Sequence, residues 1–459
     1  MGVQPLPASD ALVVFGATGD LAGKMIFPAV CALAARGAFA IPIVALARHP
    51  QNVLRSAVAG HLNECAQARR SLDRRLTKRI RYVSGNLQDA ATYTKLKQAL
   101  RGAQHPLHYL AIPPDLFPVV IGQLSNAGLA VGARIAVEKP FGHDLASAHA
   151  LNAALRDVFP ERAIFRVDHF LAKDPVRDLL FLRFGNRWLE PIWNRTHIAS
   201  IEITMAETFG ITGRGGFYDS VGALRDVFQN HLLQIVALLT MEPPARANDQ
   251  AIHAARVAAL SSLRPIAVDD IVCGQYRGYR NEDGVARDSH CETFVAVRLR
   301  SRSPRWKNVP ICVRTGKRLP ITTTEVWVTF KPPERTIVEA DDPSAHHLRF
   351  RLGPGRVDVG LGAYVKRRGA ATIGDPIELA AGLGIDEDRD AYERLLEAAL
   401  AGDHALDESA DGAYASWRVV ERVVKAELPA FDYAPGTWGP AEAARVLPRG
   451  VRWHDPQPE

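Results

Sequence analysis

The chain has 459 residues, of which 47% are hydrophobic and 23% are charged, a composition typical of folded proteins rather than disordered ones. Its 56 Lys and Arg residues slightly outnumber its 50 Asp and Glu residues, and the net charge of +6 suits a protein that handles anions without requiring nucleic acid. No run of 18 apolar residues occurs, so we expect no membrane-spanning helix.

The cysteines indicate the redox compartment. Cys31, Cys65, Cys273, Cys291 and Cys312 are widely separated and form no C-x-x-C pair. This spacing excludes a disulfide scaffold and a zinc ribbon, and it fits a reducing compartment. The N-terminal residues lack a basic start followed by an apolar stretch, so we expect no secretion signal and a cytoplasmic location.

The first third of the chain alternates strand and helix patterns. Continuous apolar runs at 11–16, 41–47, 108–112 and 133–138 are typical of strands that are buried on both faces. A helical pattern at about 24–36 follows the first run. Strands separated by helices predict a parallel sheet with crossover helices.

The pattern changes near 165–200, and we place a domain boundary near 170–180. Four later segments alternate polar and apolar residues, as antiparallel strands do. They span 198–210, 293–301, 309–316 and 325–331. A long helix is expected at 222–241, so this part of the chain predicts an α+β domain.

The loop after the first predicted strand has the spacing Gly16-x-x-Gly19-x-x-Ala22. Small residues there let the backbone approach a pyrophosphate, which the free N–H groups at a helix N-terminus bind. The spacing is not G-x-G-x-x-G, so by itself it favours a nucleotide site no more than a plain turn. The second strand ends at Arg48, where a guanidinium suits the 2′-phosphate of NADP. The alternative is a solvated charge at a strand end.

Two further segments concentrate reactive side chains. Lys139 precedes Pro140 at the end of a predicted strand, so it is kept out of helical geometry and a cis bond is permitted. Asp168 and His169 are adjacent, and if a strand continues through them their side chains serve opposite faces. An ordinary turn and a buried polar pair are the alternatives.

A third segment contains a histidine on an apolar stripe. Leu224, Phe228, His231, Ile235 and Leu238 follow steps of four and three, which predicts an inward-facing helical stripe. Histidine is the usual general base near neutral pH, and oxidising an alcohol carbon by hydride transfer needs such a base. A lone histidine on such a stripe is more often a core residue.

Ten segments in chain order together resemble the glucose-6-phosphate dehydrogenase family. They are GATGDLAGK (16–24), HYLAIPP (108–114), EKPFGHDL (138–145), RVDHFLAK (166–173), PIWNRTHI (191–198), GRGGFYDSVGALRDVFQNHLLQ (213–234), GQYRGY (274–279), VPICVRTGKRLP (309–320), YERLL (392–396) and GTWGP (436–440). Because they span nearly the whole chain in order, the resemblance outweighs the alternatives for each motif alone.

The resemblance implies a fold of the α/β plus α+β class. A Rossmann-like parallel-sheet domain is expected at 1–175, and a C-terminal domain with a large antiparallel sheet flanked by helices is expected at 176–459. The implied reaction oxidises glucose 6-phosphate to 6-phosphogluconolactone with NADP. The family's pattern also implies a homodimer or homotetramer.

The resemblance also implies a role for each matching residue. His231 would take the C1 hydroxyl proton, and Asp168 would orient it and stabilise the imidazolium. The implied phosphate ligands are His169 and Lys173. The implied ligands of the sugar hydroxyls are Lys139, Glu207, Asp226 and Lys317. The implied cofactor positions are Gly16, Thr18, Gly19, Asp20, Leu21, Arg48, Tyr109, Glu138 and Lys139.

The sequence departs from the family's pattern at the phosphate. Phe170 stands where the family usually has Tyr, Ala172 stands where it usually has Gly, and Thr322 lies where a Lys or Arg is usual. Losing one charge-assisted hydrogen bond typically costs about 1.5–3 kcal/mol, which is roughly ten- to a hundredfold in affinity. We therefore expect a weakened phosphate site.

Three other interpretations stay open at this point. An aldose dehydrogenase for a different or unphosphorylated sugar would explain Phe170 and Thr322. A catalytically idle regulator that binds NADP or sugar phosphate is less consistent with the retained His231. A nucleic-acid site would use a basic cluster, but a solvated helix face fits that cluster better. The cluster comprises Arg69, Arg70, Arg74, Arg75, Lys78, Arg79 and Arg81. No metal is expected, because His346-His347 lacks zinc spacing.

Overall fold

The computed structural model describes residues 7–69, 74–336, 346–353, 356–369, 372–384 and 391–458. These residues form two compact units. The first consists of the described residues up to Lys173 together with 391–413. The second consists of the described residues from Asp174 to 384 together with those from Tyr414 onward. The linear division at 175/176 that the sequence suggests stays a prediction.

The sheet of the first unit is parallel, as predicted. Its strands are β1 (Ala11–Phe15), β2 (Ile43–Ala47), β3 (Ile80–Ser84), β4 (Pro106–Leu110), β5 (Arg134–Glu138) and β6 (Ile164–Val167), in the order β3-β2-β1-β4-β5-β6. Every residue of β1, β2, β4 and β5 is buried, which explains their continuous apolar sequences. The strand order reverses between β1 and β4, where sheets of this kind bind ligands.

The strands of the second unit form a mixed sheet that is mostly antiparallel. They are β7 (Ile198–Ala206), β8 (Ile271–Tyr276), β9 (Phe294–Leu299), β10 (Ile311–Gly316), β11 (Thr323–Phe330), β12 (His347–Leu352), β13 (Arg356–Lys366), β14 (Gly374–Gly384) and β15 (Ala430–Tyr433), in the order β14-β13-β12-β11-β7-β10-β9-β8-β15. The expectation that 309–316 is an antiparallel strand is only half right, because β10 pairs antiparallel with β9 and parallel with β7. Alternating residues indicate which face is buried and do not indicate strand direction.

Helices cover both sheets. The α-helices are α1 (Phe27–Ala35), α2 (Gln51–Arg69), α3 (Arg74–Lys78), α4 (Ala90–Leu100), α5 (Phe117–Asn126), α6 (Leu145–Val158), α7 (Asp174–Gly185), α8 (Gly215–Ala223), α9 (Leu233–Thr240), α10 (Asp249–Ser262), α11 (Ala391–Ala401) and α12 (Ala410–Val424). Short 3₁₀ turns lie at Pro114–Leu116, Glu161–Ala163, Glu190–Ile192, Val268–Asp270, Tyr279–Asn281 and Ala441–Val446. Among the helices of the described residues, none is both long and apolar enough to cross a membrane.

The helix expected at 222–241 is interrupted near its start. Gly222 has a φ of +67°, and a Cβ there would lie 2.4 Å from the Glu292 carboxylate. That carboxylate accepts the Leu224 backbone N–H at 3.0 Å. The chain then continues as a π-helix at Leu224–Leu232 before α9 begins. π-Helical segments next to α-helices are frequent at functional sites.

The late segment 391–413 completes the core of the first unit. On α11, Tyr392, Leu395 and Leu396 share one apolar cluster with Val30 and Leu33 of α1. The same segment reaches the end of β6, because the Glu408 backbone N–H donates to the Arg166 carbonyl at 2.9 Å. The chain therefore returns to the parallel sheet after the second sheet is complete.

Candidate active site

The glycine loop lies at the carboxyl end of β1, in the centre of the parallel sheet. Gly16 has a φ of +78°, and a Cβ there would lie 2.2 Å from the Ala111 carbonyl oxygen. The Gly19 N–H donates to the Gly16 carbonyl at 2.9 Å, which closes the turn. A side chain is thus excluded at Gly16 by both backbone conformation and space.

The other loop residues are held by local contacts. Thr18 Oγ1 lies 3.1 Å from His49 Nδ1, which follows β2. The exposed Asp20 carboxylate pairs with Lys24 at 2.8 Å, one helical turn later. Leu21 is half-buried and packs against the apolar cluster under the loop. The loop is therefore tied to the end of β2, the strand that a bound adenosine ribose adjoins in such folds.

Arg48 follows β2 directly and is exposed. Its guanidinium makes no hydrogen bond or ion pair with any residue in the part of the chain that the structure describes. Its five N–H donors are thus available for a phosphate.

A buried carboxyl group lies two strands from the glycine loop. The Tyr109 hydroxyl donates to Glu138 Oε1 at 2.6 Å, and both residues are buried. Burial raises the pKa of Glu138 to about 7, although the Tyr109 hydrogen bond, the Lys139 ammonium and a hydrogen bond from Tyr392 favour the charged form. Burial and the Glu138 carboxylate raise the pKa of Tyr109 well above its ordinary value.

Lys139 and Asp168 form an ion pair at the ends of β5 and β6. Lys139 Nζ lies 3.0 Å from Asp168 Oδ1, with the Asp168 side chain 2% and the Lys139 side chain 13% exposed. The Lys139-Pro140 bond is cis. The strand does not continue through the Asp168-His169 pair, because β6 ends at Val167. Asp168 instead starts a turn, where its Oδ1 accepts the Phe170 N–H at 3.0 Å.

The remaining residues of that turn face different surroundings. The His169 ring is stacked on Tyr392, with 5.6 Å between ring centroids and 16° between planes. Lys173 is exposed, and its Nζ lies 5.5 Å above the Phe170 ring. Phe170 itself is 4% exposed. Its ring supplies packing where a Tyr would also supply a hydroxyl donor.

In the second unit, Lys317 joins two acidic residues. Its Nζ forms an ion pair with Glu207 and lies 3.9 Å from Asp226. The rings of Phe209 and Tyr218 lie 5.2 and 5.5 Å from the same atom. A buried ammonium between carboxylates, with aromatic rings beside it, is well suited to binding hydroxyl groups of a sugar.

His231 lies on the π-helix and is half-buried. The expected inward stripe is confirmed for its apolar members, which are all buried. They are Leu224, Phe228, Ile235 and Leu238. The neighbouring Asn230 accepts the His231 backbone N–H at 2.6 Å and donates to the Arg225 carbonyl at 2.8 Å. His231 is therefore less buried than the other residues of its stripe.

Thr322, which stands where the family usually has a cation, and the nearby Arg318 both contact other side chains. Arg318, the nearest basic residue in the sequence, lies with its guanidinium 3.4 Å from Glu282 and 6.0 Å from the Tyr276 ring. Thr322 pairs with the Thr208 hydroxyl. Arg318 is thus engaged by an acid, and Thr322 is engaged by a neutral hydroxyl.

Sequence reasoning missed Tyr392, Phe209 and Tyr218. Tyr392 is in the matching segment YERLL but was given no role, since nothing local to it suggests chemistry. Tyr218 likewise lies in the matching segment at 213–234, and Phe209 lies outside every matching segment. Only the fold brings them to His169 and Lys317.

Described members of the basic cluster and of the histidine pair contact other groups of the fold. Arg81 and Arg79 donate to the carbonyls of Ala99 and Phe39. Arg70 lies outside the described residues, as do the side chains of Arg69, Arg74 and Arg75. His347 Nε2 lies 2.8 Å from Glu378 Oε2, so it is engaged within the sheet.

Two family models match consecutive parts of the chain. The model described as "Glucose-6-phosphate dehydrogenase, NAD binding domain" matches residues 13–178, and the model of the C-terminal domain of the same enzyme matches residues 180–454. Together they cover nearly the whole sequence.

Individual relatives match along most of their length. "Glucose-6-phosphate 1-dehydrogenase 1" of Mycobacterium tuberculosis is 41% identical over 98% of this chain and 97% of the relative. "Glucose-6-phosphate 1-dehydrogenase 6, cytoplasmic" of Arabidopsis thaliana is 34% identical over 97% of this chain and 92% of the relative.

Solved structures of glucose-6-phosphate dehydrogenases superimpose closely on this chain. The crystal structure of glucose-6-phosphate 1-dehydrogenase from Mycobacterium avium superimposes with a TM-score of 0.90 at 38% identity, covering 98% of this chain and all of that one. A glucose-6-phosphate dehydrogenase in complex with its substrate glucose 6-phosphate gives 0.86 at 31% identity, covering 99% of this chain and 100% of that chain.

Proposed function

The chain belongs to the glucose-6-phosphate dehydrogenase family, and from this premise we propose how its own residues carry out the reaction. The protein is an oxidoreductase that oxidises glucose 6-phosphate to 6-phosphogluconolactone with NADP. The observation that carries this function is the 41% identity with a curated glucose-6-phosphate 1-dehydrogenase over 98% of the chain. Formation of NADPH on glucose 6-phosphate, compared with free glucose, tests it directly.

His231 is the proposed general base. It lies half-buried on a π-helix, and a neutral imidazole accepts a proton readily near neutral pH. In this proposal, His231 takes the C1 hydroxyl proton while the hydride leaves C1. Asp168 orients the imidazole and stabilises its charged form, as carboxylates do in other acid–base pairs.

The residues of the first unit fit NADP. The tight glycine cradle at Gly16 leaves no room for a Cβ, which would meet the Ala111 carbonyl oxygen. A turn of this kind brings the backbone close to a pyrophosphate beside a helix N-terminus. When bound, NADP supplies the hydride acceptor. Gly16 and Gly19 hold the pyrophosphate in this proposal, and Arg48 holds the 2′-phosphate with its free guanidinium. The other proposed cofactor contacts are Thr18, Asp20, Leu21, Tyr109, Glu138 and Lys139.

The proposed sugar ligands are supported by the arrangement around Lys317. Glu207 and Asp226 can each accept a sugar hydroxyl, while Lys317 donates to one. Lys139 is the fourth proposed ligand of the sugar hydroxyls. Since Lys317 is already paired with Glu207, the site is preorganised by its own charges.

His169 and Lys173 are the proposed phosphate ligands. Phe170 and Thr322 leave this group with fewer donors than the resemblance predicts. We therefore propose a raised KM for glucose 6-phosphate and a smaller preference over free glucose. This difference concerns the strength of the phosphate contact and not the reaction.

The assembly and location are proposed from the family. A homodimer or homotetramer in the cytoplasm fits the reaction and the dispersed cysteines. One relative bears the word cytoplasmic in its name. Light scattering of the purified protein and fractionation of its host cells test these two points.

A further inference from the structure

Helix α11 returns to the parallel sheet and places one tyrosine beside two residues with proposed roles. Tyr392, the second residue of α11, is 7% exposed. Its hydroxyl hydrogen-bonds the Glu138 carboxylate. Its ring is stacked on His169 at 5.6 Å. One side chain thus contacts a proposed cofactor residue and a proposed phosphate residue.

Glu138 is surrounded by groups from four segments. Tyr109 on β4 donates to it at 2.6 Å, and Tyr392 on α11 gives a second hydrogen bond. Lys139 attracts its charge, while Asp168 after β6 opposes it. A buried carboxylate in this position depends on its two phenols, since hydrogen bonds to the charged form offset part of the loss of hydration.

His169 depends on the same tyrosine in a different way. A stacked ring restricts the rotation of an imidazole and fixes the direction of its N–H groups. The contact between these two rings does not involve the Tyr392 hydroxyl. The two functions of Tyr392 are therefore separable by substitution.

We propose that Tyr392 is a positioning residue of the oxidation reaction, its hydroxyl holding Glu138 toward the cofactor and its ring holding His169 toward the phosphate. This inference rests on the roles proposed above for Glu138 and His169. Segment 391–413 then contributes to the active site as well as to the core, because Tyr392 on α11 positions one residue proposed to contact the cofactor and one proposed to contact the phosphate.

Two substitutions separate the two contacts. Tyr392→Phe keeps the ring and removes the hydroxyl, so the KM for glucose 6-phosphate should stay within about twofold. The midpoint of the pH dependence of the KM for NADP should move upward by about one pH unit, because ionised Glu138 loses one hydrogen bond. Tyr392→Leu removes the ring as well, so the KM for glucose 6-phosphate should rise about tenfold while kcat changes little.

Tyr93→Phe is the matched control, since Tyr93 is a fully buried tyrosine of the same unit whose hydroxyl donates to the Leu87 carbonyl at 2.8 Å. It should leave both KM values and the pH midpoint unchanged. If Tyr392→Phe keeps the wild-type midpoint, the proposal is overturned. It is also overturned if Tyr392→Phe raises the KM for glucose 6-phosphate as much as Tyr392→Leu does. Should Tyr392→Leu fail to fold, the pH midpoint of Tyr392→Phe still decides the matter.

Two further variants separate this inference from the function on which it rests. Glu138→Gln should abolish the pH midpoint, and His169→Ala should raise the KM for glucose 6-phosphate. If either variant behaves as wild type, the role proposed for that residue fails. The contact between Tyr392 and that residue then cannot affect the kinetics. If both behave as expected and the Tyr392 variants do not, Tyr392 alone is excluded.

Discussion

The hydroxyl oxygens of Thr208 and Thr322 lie 2.9 Å apart, and Thr322 Oγ1 also accepts the Thr208 backbone N–H at 3.0 Å. The pair links the residue after Glu207 to the residue before β11. Thr322 stands where the family resemblance predicts a cation. A neutral hydroxyl that already bonds another hydroxyl binds a phosphate more weakly than a guanidinium or ammonium does.

Replacing Thr322 by lysine should therefore strengthen phosphate binding. Thr322 is exposed, so the longer side chain has room. We expect Thr322→Lys to lower the KM for glucose 6-phosphate about tenfold, since one charge-assisted hydrogen bond is gained. The kcat/KM for free glucose should not change. Steady-state kinetics on both sugars, with Thr322→Val as the uncharged control, would reject the idea if the two variants were equal.

Removal of the proposed base should stop turnover without stopping binding. His231→Asn lacks a proton acceptor in the working pH range, so kcat should fall roughly 10²–10⁴-fold. The KM for glucose 6-phosphate should change little. His290→Asn is a suitable control, because His290 is exposed in the same unit. A nearly unchanged kcat in His231→Asn would refute its role as the base.

Much of the site could be predicted from local sequence, because several of its residues lie at the end of a strand that the sequence predicts. β1 and β5 are fully buried strands, so the positions of Gly16, Glu138 and Lys139 follow from apolar runs. The ion pair of Lys139 with Asp168 needs β5 beside β6, a pairing that the crossover pattern only implies. The ends of these strands are predictable because burial on both faces leaves a continuous apolar run in the sequence.

Other features required the folded chain. The return of Tyr392 to His169 has no local signal, since any amphipathic helix could cover either sheet. The parallel pairing of β7 with β10 leaves the alternation of residues unchanged. The sequence also does not predict the π-helix around His231. Over nine residues the apolar stripe of a π-helix resembles that of an α-helix.

Arg48 should determine the choice between the two nicotinamide cofactors. Its guanidinium is exposed and makes no hydrogen bond or ion pair with the described residues, so its removal should affect folding little. Arg48→Ala should raise the KM for NADP roughly ten- to a hundredfold, as expected for a lost charge-assisted contact. The KM for NAD should stay nearly constant. Arg55→Ala, which removes another exposed arginine of this unit, is the control; an equal effect on both cofactors would show that Arg48 does not contact the 2′-phosphate.

Gly16 and Gly37 provide a matched pair of substitutions. Both have a positive φ, +78° and +74°, but a Cβ meets the Ala111 carbonyl oxygen at 2.2 Å only at Gly16, while Gly37 has nothing within 4 Å. Gly37→Ala should cost about 1 kcal/mol of unfolding free energy through backbone strain alone. Gly16→Ala should cost more and should also raise the KM for NADP. Equal unfolding midpoints and equal KM values for the two variants would contradict the proposed cradle.

His404 should make stability depend on pH. Its Nδ1 lies 2.8 Å from the Asp407 carboxylate and its Nε2 lies 3.0 Å from the Arg162 carbonyl. Both neighbours are acceptors, so only the imidazolium donates to both. Burial lowers the pKa of His404, but the Asp407 carboxylate and the Arg162 carbonyl raise it by more. The pKa of His404 therefore lies above its ordinary value.

The sign of the effect follows from this raised pKa. The folded form binds the proton more tightly than the unfolded chain, so the stabilisation is complete below the ordinary histidine pKa of about 6.5 and is lost as the pH rises through the folded value. His404→Gln should therefore be less stable than wild type by about 1–3 kcal/mol near pH 6. The difference should shrink as the pH rises through the raised pKa of His404 in the folded protein. Denaturant unfolding across this range measures it, with His105→Gln as control because its Nδ1 meets a single carbonyl. A difference that stays constant with pH would show that His404 acts by packing on Phe165 rather than by its charge.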